Sequence, residues 1–305
     1  MRYKRLDLNL LVALDALLSE GNISRAAERV HLSQPAMSNA LARLREYFAD
    51  ELLVAHGRQM MLTPRARSLQ QPVREILMRV DSDVVAPAVF DPASSRRVFS
   101  MLVSDFTTTV FMPQLLQALY AQAPGVQLFL RPQASSPQQL LEDGDADFLI
   151  IPVQYVSSLH PCVPLFEDDY VVVGWTGNTV VGKTLSREQY LQAGHVVSSF
   201  GSQGQRQLPV LEGWFLERDG ISRRVEVTAP SLAALPGLVV GTNRLATVHR
   251  RIALQAQTHL PIRVWPSPIR IPKLVQMLQW NKLREADPGL RWLRDQCLQV
   301  GSSLK

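Results

Sequence analysis

Residues 33–46 read Ser33-Gln34-Pro35-Ala36-Met37-Ser38-Asn39-Ala40-Leu41-Ala42-Arg43-Leu44-Arg45-Glu46, and they follow a short helical pattern, Ser24-Arg25-Ala26-Ala27-Glu28-Arg29-Val30. Two short helices in this order predict a helix-turn-helix whose second member reads a groove. Ser33 is placed to cap the second helix, and Pro35 is tolerated in a first turn whose N–H groups have no intrahelical partner to lose. Those free N–H groups and the positive dipole end make a seat for a phosphate. Ala36, Ala40, Leu41 and Leu44 recur at helical spacing and are expected inward, which turns Gln34, Pro35, Ser38, Asn39, Arg43 and Arg45 outward. A side-chain amide near the helix start can pair bidentately with adenine, and proline or alanine carbon can touch a thymine methyl. An ordinary polar helix face has the same pattern, so the flanks decide.

Upstream, Leu10, Leu14, Leu17 and Leu18 form an apolar stripe that predicts a supporting helix over 7–20, stopped by Gly21. Downstream, the apolar runs 52–55 and 59–62 flank His56-Gly57-Arg58, the pattern of a small hairpin. A hairpin after a reading helix is a wing. Its tip, with Arg58 and His56, can reach a phosphate or the minor groove, where arginine is favoured.

Several spaced motifs now combine: Asp7-Leu8-Asn9-Leu10, Ser24-Arg25-Ala26-Ala27, Leu32 to Ser38, Leu41 with Leu44-Arg45, Gly57-Arg58 and Leu62-Thr63-Pro64. Together they resemble the winged helix-turn-helix of LysR-type transcriptional regulators. Ala55 and Ala66 depart from the common pattern, as in the branch of nodulation-gene and aromatic-degradation regulators. The resemblance and the helix reading assign DNA contact to Ser24, Ser33, Gln34, Pro35, Ser38, Asn39, Arg43 and Arg58.

A chain of 305 residues accommodates two folding units with substantial cores. It carries 32 basic and 27 acidic side chains, and through residue 80 the balance is twelve to eight, so four of the surplus of five lie in the proposed DNA module. Two cysteines, Cys162 and Cys297, make no disulfide framework or zinc site and point to a reducing cytoplasm. The first thirty residues lack the pattern of a signal peptide, no window is apolar enough for a membrane span, and no membrane partner is expected.

Over 64–85, Leu69, Val73, Ile76, Leu77 and Val80 continue a helical stripe that must find a partner. Its own domain could supply one. In LysR-type regulators the corresponding linker helix pairs with that of a second subunit, with Pro72 here as a bend or local break. Such pairing fixes the spacing of two reading heads and implies a pseudo-palindromic promoter site on double-stranded DNA, bound by a homodimer or homotetramer. The expected domains are 1–63 for DNA binding, 64–92 as linker and 93–305 as regulatory region.

That last region begins after a turn-rich stretch, 86–95. Strand patterns at 98–103, 127–131, 147–152, 170–175, 195–199, 224–228, 245–248 and 262–265 alternate with helical ones at 107–122, 136–142, 186–193, 208–219, 231–240 and 273–283. The alternation predicts an α/β domain with mostly parallel sheets, and such folds bind ligands beyond the carboxyl ends of strands. This half is similar to the family's effector-binding region, two subdomains around a cleft as in a periplasmic binding protein. Strand ends then nominate Ser104, Asp105, Thr107, Thr108, Phe111, Pro152, Ser199, Phe200 and Gln203 as cleft residues, and the resemblance to the branch implies Arg251, at a position used there near the effector, as a partner for a carboxylate. The resemblance implies a small organic effector, aromatic or carboxylate, and leaves RNA polymerase as a further partner.

Three motifs compete. Gly177-Asn-Thr-Val-Val-Gly-Lys183-Thr184 spells a P-loop, but Ser186 and Gln189 read as a capping box that starts the helix too late for Lys183 and Thr184 to join its first turn. Asp143-Gly-Asp145-Ala-Asp147 opens like a calcium loop but has Phe148 and Gln154 where glycine and glutamate are required. Gly201-Ser-Gln-Gly204 is not a nucleophile elbow. No catalytic residues, metal or cofactor are therefore expected. The alternative, an enzyme or solute-binding protein whose amino-terminal domain only mediates assembly, would show turnover or ligand binding without salt-sensitive DNA affinity.

Overall fold

The computed structural model describes residues 7, 9–56, 59–85, 89–133, 136–200, 208–209 and 211–304, which divide into two compact units, 1–88 with 283–288 and 89–282 with 289–305.

The first unit opens with three helices, α1 (Leu10–Glu20), α2 (Ile23–Arg29) and α3 (Gln34–Phe48). Leu10, Leu14, Leu17 and Leu18 bury one side of α1, and Ala26, Ala27, Met37, Leu41 and Leu44 close on it. α1 stops at Gly21, whose φ of 55° lets its amide turn back onto the Leu17 carbonyl. In the turn between α2 and α3, His31 takes φ 55° without being glycine. The inward face of α3 corrects one expectation. Met37 is buried and Ala36 is exposed, because the stripe runs 37, 40, 41, 44 and Ala36 falls in the capped first turn outside it.

Strands β1 (Leu53–His56) and β2 (Gln59–Leu62) pair antiparallel with His56 opposite Gln59. Thr63 then caps α4 (Pro64–Arg79), which continues through Pro72 without ending there and runs into a π-helical segment, Val80–Val85. Val73, Leu69 and Leu77 join the core of this unit, Gln70 donates to the Leu18 carbonyl at 3.0 Å, and Arg74 donates to Ser19 Oγ at 2.7 Å. The parent domain thus takes one side of the α4 stripe. Ile76, Val80 and Val84 remain exposed at four-residue spacing.

In order, the second unit contains β3 (Val98–Val103), α5 (Asp105–Val110), α6 (Met112–Gln122), β4 (Gln127–Pro132), α7 (Pro137–Glu142), β5 (Phe148–Pro152), β6 (Cys162–Asp168), β7 (Tyr170–Trp175) and α8 (Arg187–Gln192). It continues with β8 (Gly194–Phe200), β9 (Leu208–Pro209), α9 (Leu211–Arg218), β10 (Arg224–Ala229), α10 (Leu235–Leu238), β11 (Leu245–His249), α11 (Arg250–Gln257), β12 (Ile262–Pro266), β13 (Leu274–Trp280) and α12 (Pro288–Ser303). Two sheets result, ordered β4-β3-β5-β13-β6 and β10-β8-β11-β7-β12, with β9 on β8. The chain crosses to the second sheet after β6, through Asp169 alone, and returns between β12 and β13.

Each sheet is mixed rather than mostly parallel: β5 and β6 run antiparallel to β13, and β11 and β12 antiparallel to β7. The cause is the double crossover, which sends returning strands into the middle of each sheet. Residues 273–283, expected as a helix, hold β13. A strand buried on both faces shows a near-continuous apolar run and no alternation to read. The expected helix 107–122 is two helices, α5 and α6, with Phe111 at the junction before Pro113, and the pattern at 231–240 yields only the short α10.

Candidate DNA interface and effector cleft

On α3 one face is left outside the core. Ser33, Gln34, Pro35, Ser38, Asn39 and Arg43 are all exposed, as is Ser24 on α2. Ser33 Oγ accepts the Ala36 amide at 3.3 Å, so the cap holds the helix start while Gln34 and Ser38 stay available. Arg43 is already engaged: its Nη2 lies 2.9 Å from Asp7 Oδ2. Hydrogen bonding from the Asn9 amide, then from Arg43, holds the Asp7 carboxyl below its ordinary range. Arg45, expected outward, instead donates to the Glu51 and Leu53 carbonyls, both at 2.8 Å, and ties α3 to the wing. Arg58 lies outside the described residues.

In the second unit, Ser104 accepts the Thr107 amide at 3.2 Å and caps α5, with Thr107 buried beneath it and Thr108 exposed. The register Met101↔Phe148 and Leu102↔Leu149 puts Pro152 level with Asp105 at the same carboxyl end of the first sheet. Ser199 lies near the matching carboxyl end of β8 in the second sheet, one residue past Ser198, which pairs with Ala229. The two ends meet: Asp105 Oδ2 accepts from Ser231 Oγ at 2.8 Å and from the Ala233 amide at 3.1 Å. Ser231 was absent from the sequence nominations, although it stands at the start of a helical pattern just as Ser104 does.

Phe111 and Arg251 lie elsewhere. Phe111 is fully buried and stacked on Phe166, with ring centroids 5.7 Å apart, so it belongs to the core beneath α5 rather than to an open wall. The Arg251 guanidinium donates to the carbonyls of Leu304 and Glu167 and lies 4.0 Å from Asp168, in a groove of about 580 Å³ that includes Pro164, Asp169, Leu254 and Lys273. Burial pushes Asp168 up to about 6, partly opposed by the Arg251 amide and charge. Phe200 belongs to β8, and Gln203 lies outside the described residues.

The competing motifs find no support. The stretch 177–184 is a loop, Ser186 and Gln189 form the reciprocal capping box, and α8 starts only at Arg187. Asp147 Oδ2 accepts the Ser100 amide at 2.7 Å and ties β5 to β3 rather than framing an ion site. Among the described residues no cluster of three or more His, Cys, Asp or Glu side chains could hold a metal, and no helix is long and apolar enough to cross a membrane.

Comparison with known proteins adds to this geometry. The pattern described as "Bacterial regulatory helix-turn-helix protein, lysR family" matches residues 8–67, and that of the "LysR substrate binding domain" matches 93–302. Nodulation protein D 2 of Rhizobium leguminosarum bv. phaseoli is 40% identical over 304 residues, covering 100% of this chain and 95% of that protein. A probable transcriptional regulator from Pseudomonas aeruginosa superposes with TM-score 0.63 at 29% identity, over 96% of this chain and 97% of its own. Full-length CbnR, solved with its target DNA, shares the fold at TM-score 0.58 and 17% identity, over 97% of this chain and 100% of its own.

Proposed function

The chain belongs to the LysR family of bacterial helix-turn-helix transcriptional regulators, and from that premise we propose how its residues divide the work. It is a ligand-controlled, DNA-binding regulator rather than an enzyme. Gln34, Pro35, Ser38 and Asn39 meet base edges in the major groove, while Ser24, Ser33, Arg43 and Arg58 hold phosphates. The observation that carries this reading is the exposed face of α3, with Gln34, Pro35, Ser38, Asn39 and Arg43 outward above the buried stripe Met37, Leu41, Leu44. Residues 64–92 act as the linker: the exposed row Ile76, Val80, Val84 on α4 and its π-helical extension pairs with that of a second subunit, making a homo-oligomer that fits a pseudo-palindromic site.

Residues 93–305 take up a small organic effector at the carboxyl ends of the two sheets, with Ser104, Thr108 and Pro152 contributed by one and Ser199 by the other, a reading supported by the Asp105–Ser231 contact across them. The placement of Arg251 and Phe111 supports assigning them to structure, so a carboxylate on the effector is not required by this reading. Effector binding favours one placement of the two sheets over another and so alters DNA bend or the spacing of reading heads. The protein works in the cytoplasm, and its bound form contacts RNA polymerase.

Genome-wide footprinting of the bound protein tests this reading. It should recover an inverted repeat with half-sites about one helical turn, or a multiple of it, apart. Protection without any shared repeat would refute it.

A further inference from the structure

α5 touches the second sheet's half of the regulatory region at two points of different chemistry. Deep in the fold the Phe106 ring packs on His249 at 4.1 Å, and His249 in turn packs on Tyr170, the first residue after the crossover. All three are buried, next to the short link between the sheets, so this contact is made close to the pivot.

Farther out the contact is polar and only half-buried. One oxygen of Asp105 takes Ser231 Oγ–H at 2.8 Å and the Ala233 amide at 3.1 Å, while the other takes the Phe106 amide at 2.8 Å. Ser231 Oγ also accepts the Ala234 amide at 3.2 Å, so the carboxylate of one half fixes the whole 231–234 turn of the other. Polar groups near water exchange partners at small net cost, whereas a packed aromatic contact does not. The rim can therefore open while the pivot stays made.

We propose that Asp105 and the Ser231–Ala234 turn form a latch that closes the rim of the cleft and sets the regulatory state of the effector-free protein. This rests on reading the cleft as the effector site. A molecule entering between α5 and the turn must break the latch, supplying Ser231 and Ala233 with another acceptor or leaving them to water. The shift it can cause is bounded by the difference in its affinity for the latched and open forms.

Two readouts on the full-length protein test this, neither needing an identified effector. Hydrogen exchange, measured without DNA or ligand, should quicken at least fivefold across residues 231–238 in Asp105→Ala. Uninduced output from a reporter carrying the protein's own operator should shift at least threefold in the same variant. Ser231→Ala removes one of the two donors to Asp105, together with the Ala234 cap, without touching α5, and it should move both readouts in the same direction. Unchanged exchange in both variants overturns the latch; faster exchange with unchanged output overturns its regulatory role. Loss of operator binding by the unaltered protein would sink the DNA reading instead, and the exchange measurement would still decide on the latch.

Discussion

Arg43 Nη2 lies 2.9 Å from Asp7 Oδ2, so the arginine of α3 proposed to hold the DNA backbone is engaged by a carboxylate preceding α1. Both side chains are substantially exposed, and such pairs contribute little to stability. Their effect falls on binding instead, because Arg43 must leave Asp7 to reach a phosphate and Asp7 itself repels one. Asp7→Asn should tighten operator binding several-fold at low salt, whereas Arg43→Ala should flatten the dependence of log K on log salt by about one contact's worth, roughly 0.9. An unchanged slope in salt-titrated anisotropy would show that Arg43 makes no phosphate contact.

Arg45 joins α3 to β1 through two carbonyls, each 2.8 Å away. Arg45→Ala should cost about 1–2 kcal/mol of stability in the first unit, since charge-assisted bonds are lost from a partly exposed site. Arg45→Lys should rescue little, because one ammonium cannot reproduce the fork. Thermal unfolding compared with operator affinity at low temperature separates this from a DNA contact: binding per folded molecule should be preserved.

The self-association proposed for α4 and its π-helical extension would use the exposed row Ile76, Val80, Val84. Ile76→Glu should raise the dimer dissociation constant tenfold or more without unfolding the domain, whose core side of α4 uses Val73, Leu69 and Leu77. Sedimentation velocity across a concentration series reads this directly, and an unchanged dimer would place the interface elsewhere.

The Asp168 carboxyl is pushed up to about 6 by burial against an ordinary 3.8. A raised folded-state value means that its contribution to stability is complete below about pH 3.8 and is lost as pH rises through about 6. His249 acts with the opposite sign: burial holds it at about 3, so its contribution is present above its ordinary 6.5 and is lost as pH falls below that. Asp168→Asn keeps His249 common to both proteins, so the variant should gain on the unaltered chain as pH climbs from 4.5 to 7.5. A constant difference in unfolding midpoint over that window would refute the burial argument.

What the sequence made legible was local. Gly21, Ser33 and Ser186 act within one turn of themselves, and their capping chemistry is written in the adjacent residues. The apolar stripe of α1 and the strand ends at Ser104 and Pro152 are short-range patterns too. Relationships across the fold carried no such signal. β13 gives no alternation because both its faces are buried, and it lies between strands more than one hundred residues earlier in the chain. Asp105 meets Ser231 across 126 positions, and Arg251 finds the Leu304 carbonyl across 53, so neither partner could be read from neighbouring residues. Ala36 and Met37 differ by one position on a helix, and only the tertiary contact decides which of them turns inward.

The central claim is that α3 discriminates among base edges, and competition binding at physiological salt tests it most directly. The full-length protein should prefer its own promoter fragment over random duplex by a thousandfold or more, and Gln34→Ala should surrender roughly 1–3 kcal/mol of that preference while leaving random-sequence affinity unchanged. Equal affinity for promoter and random DNA, or a preference untouched by Gln34→Ala, Ser38→Ala and Asn39→Ala together, would contradict it.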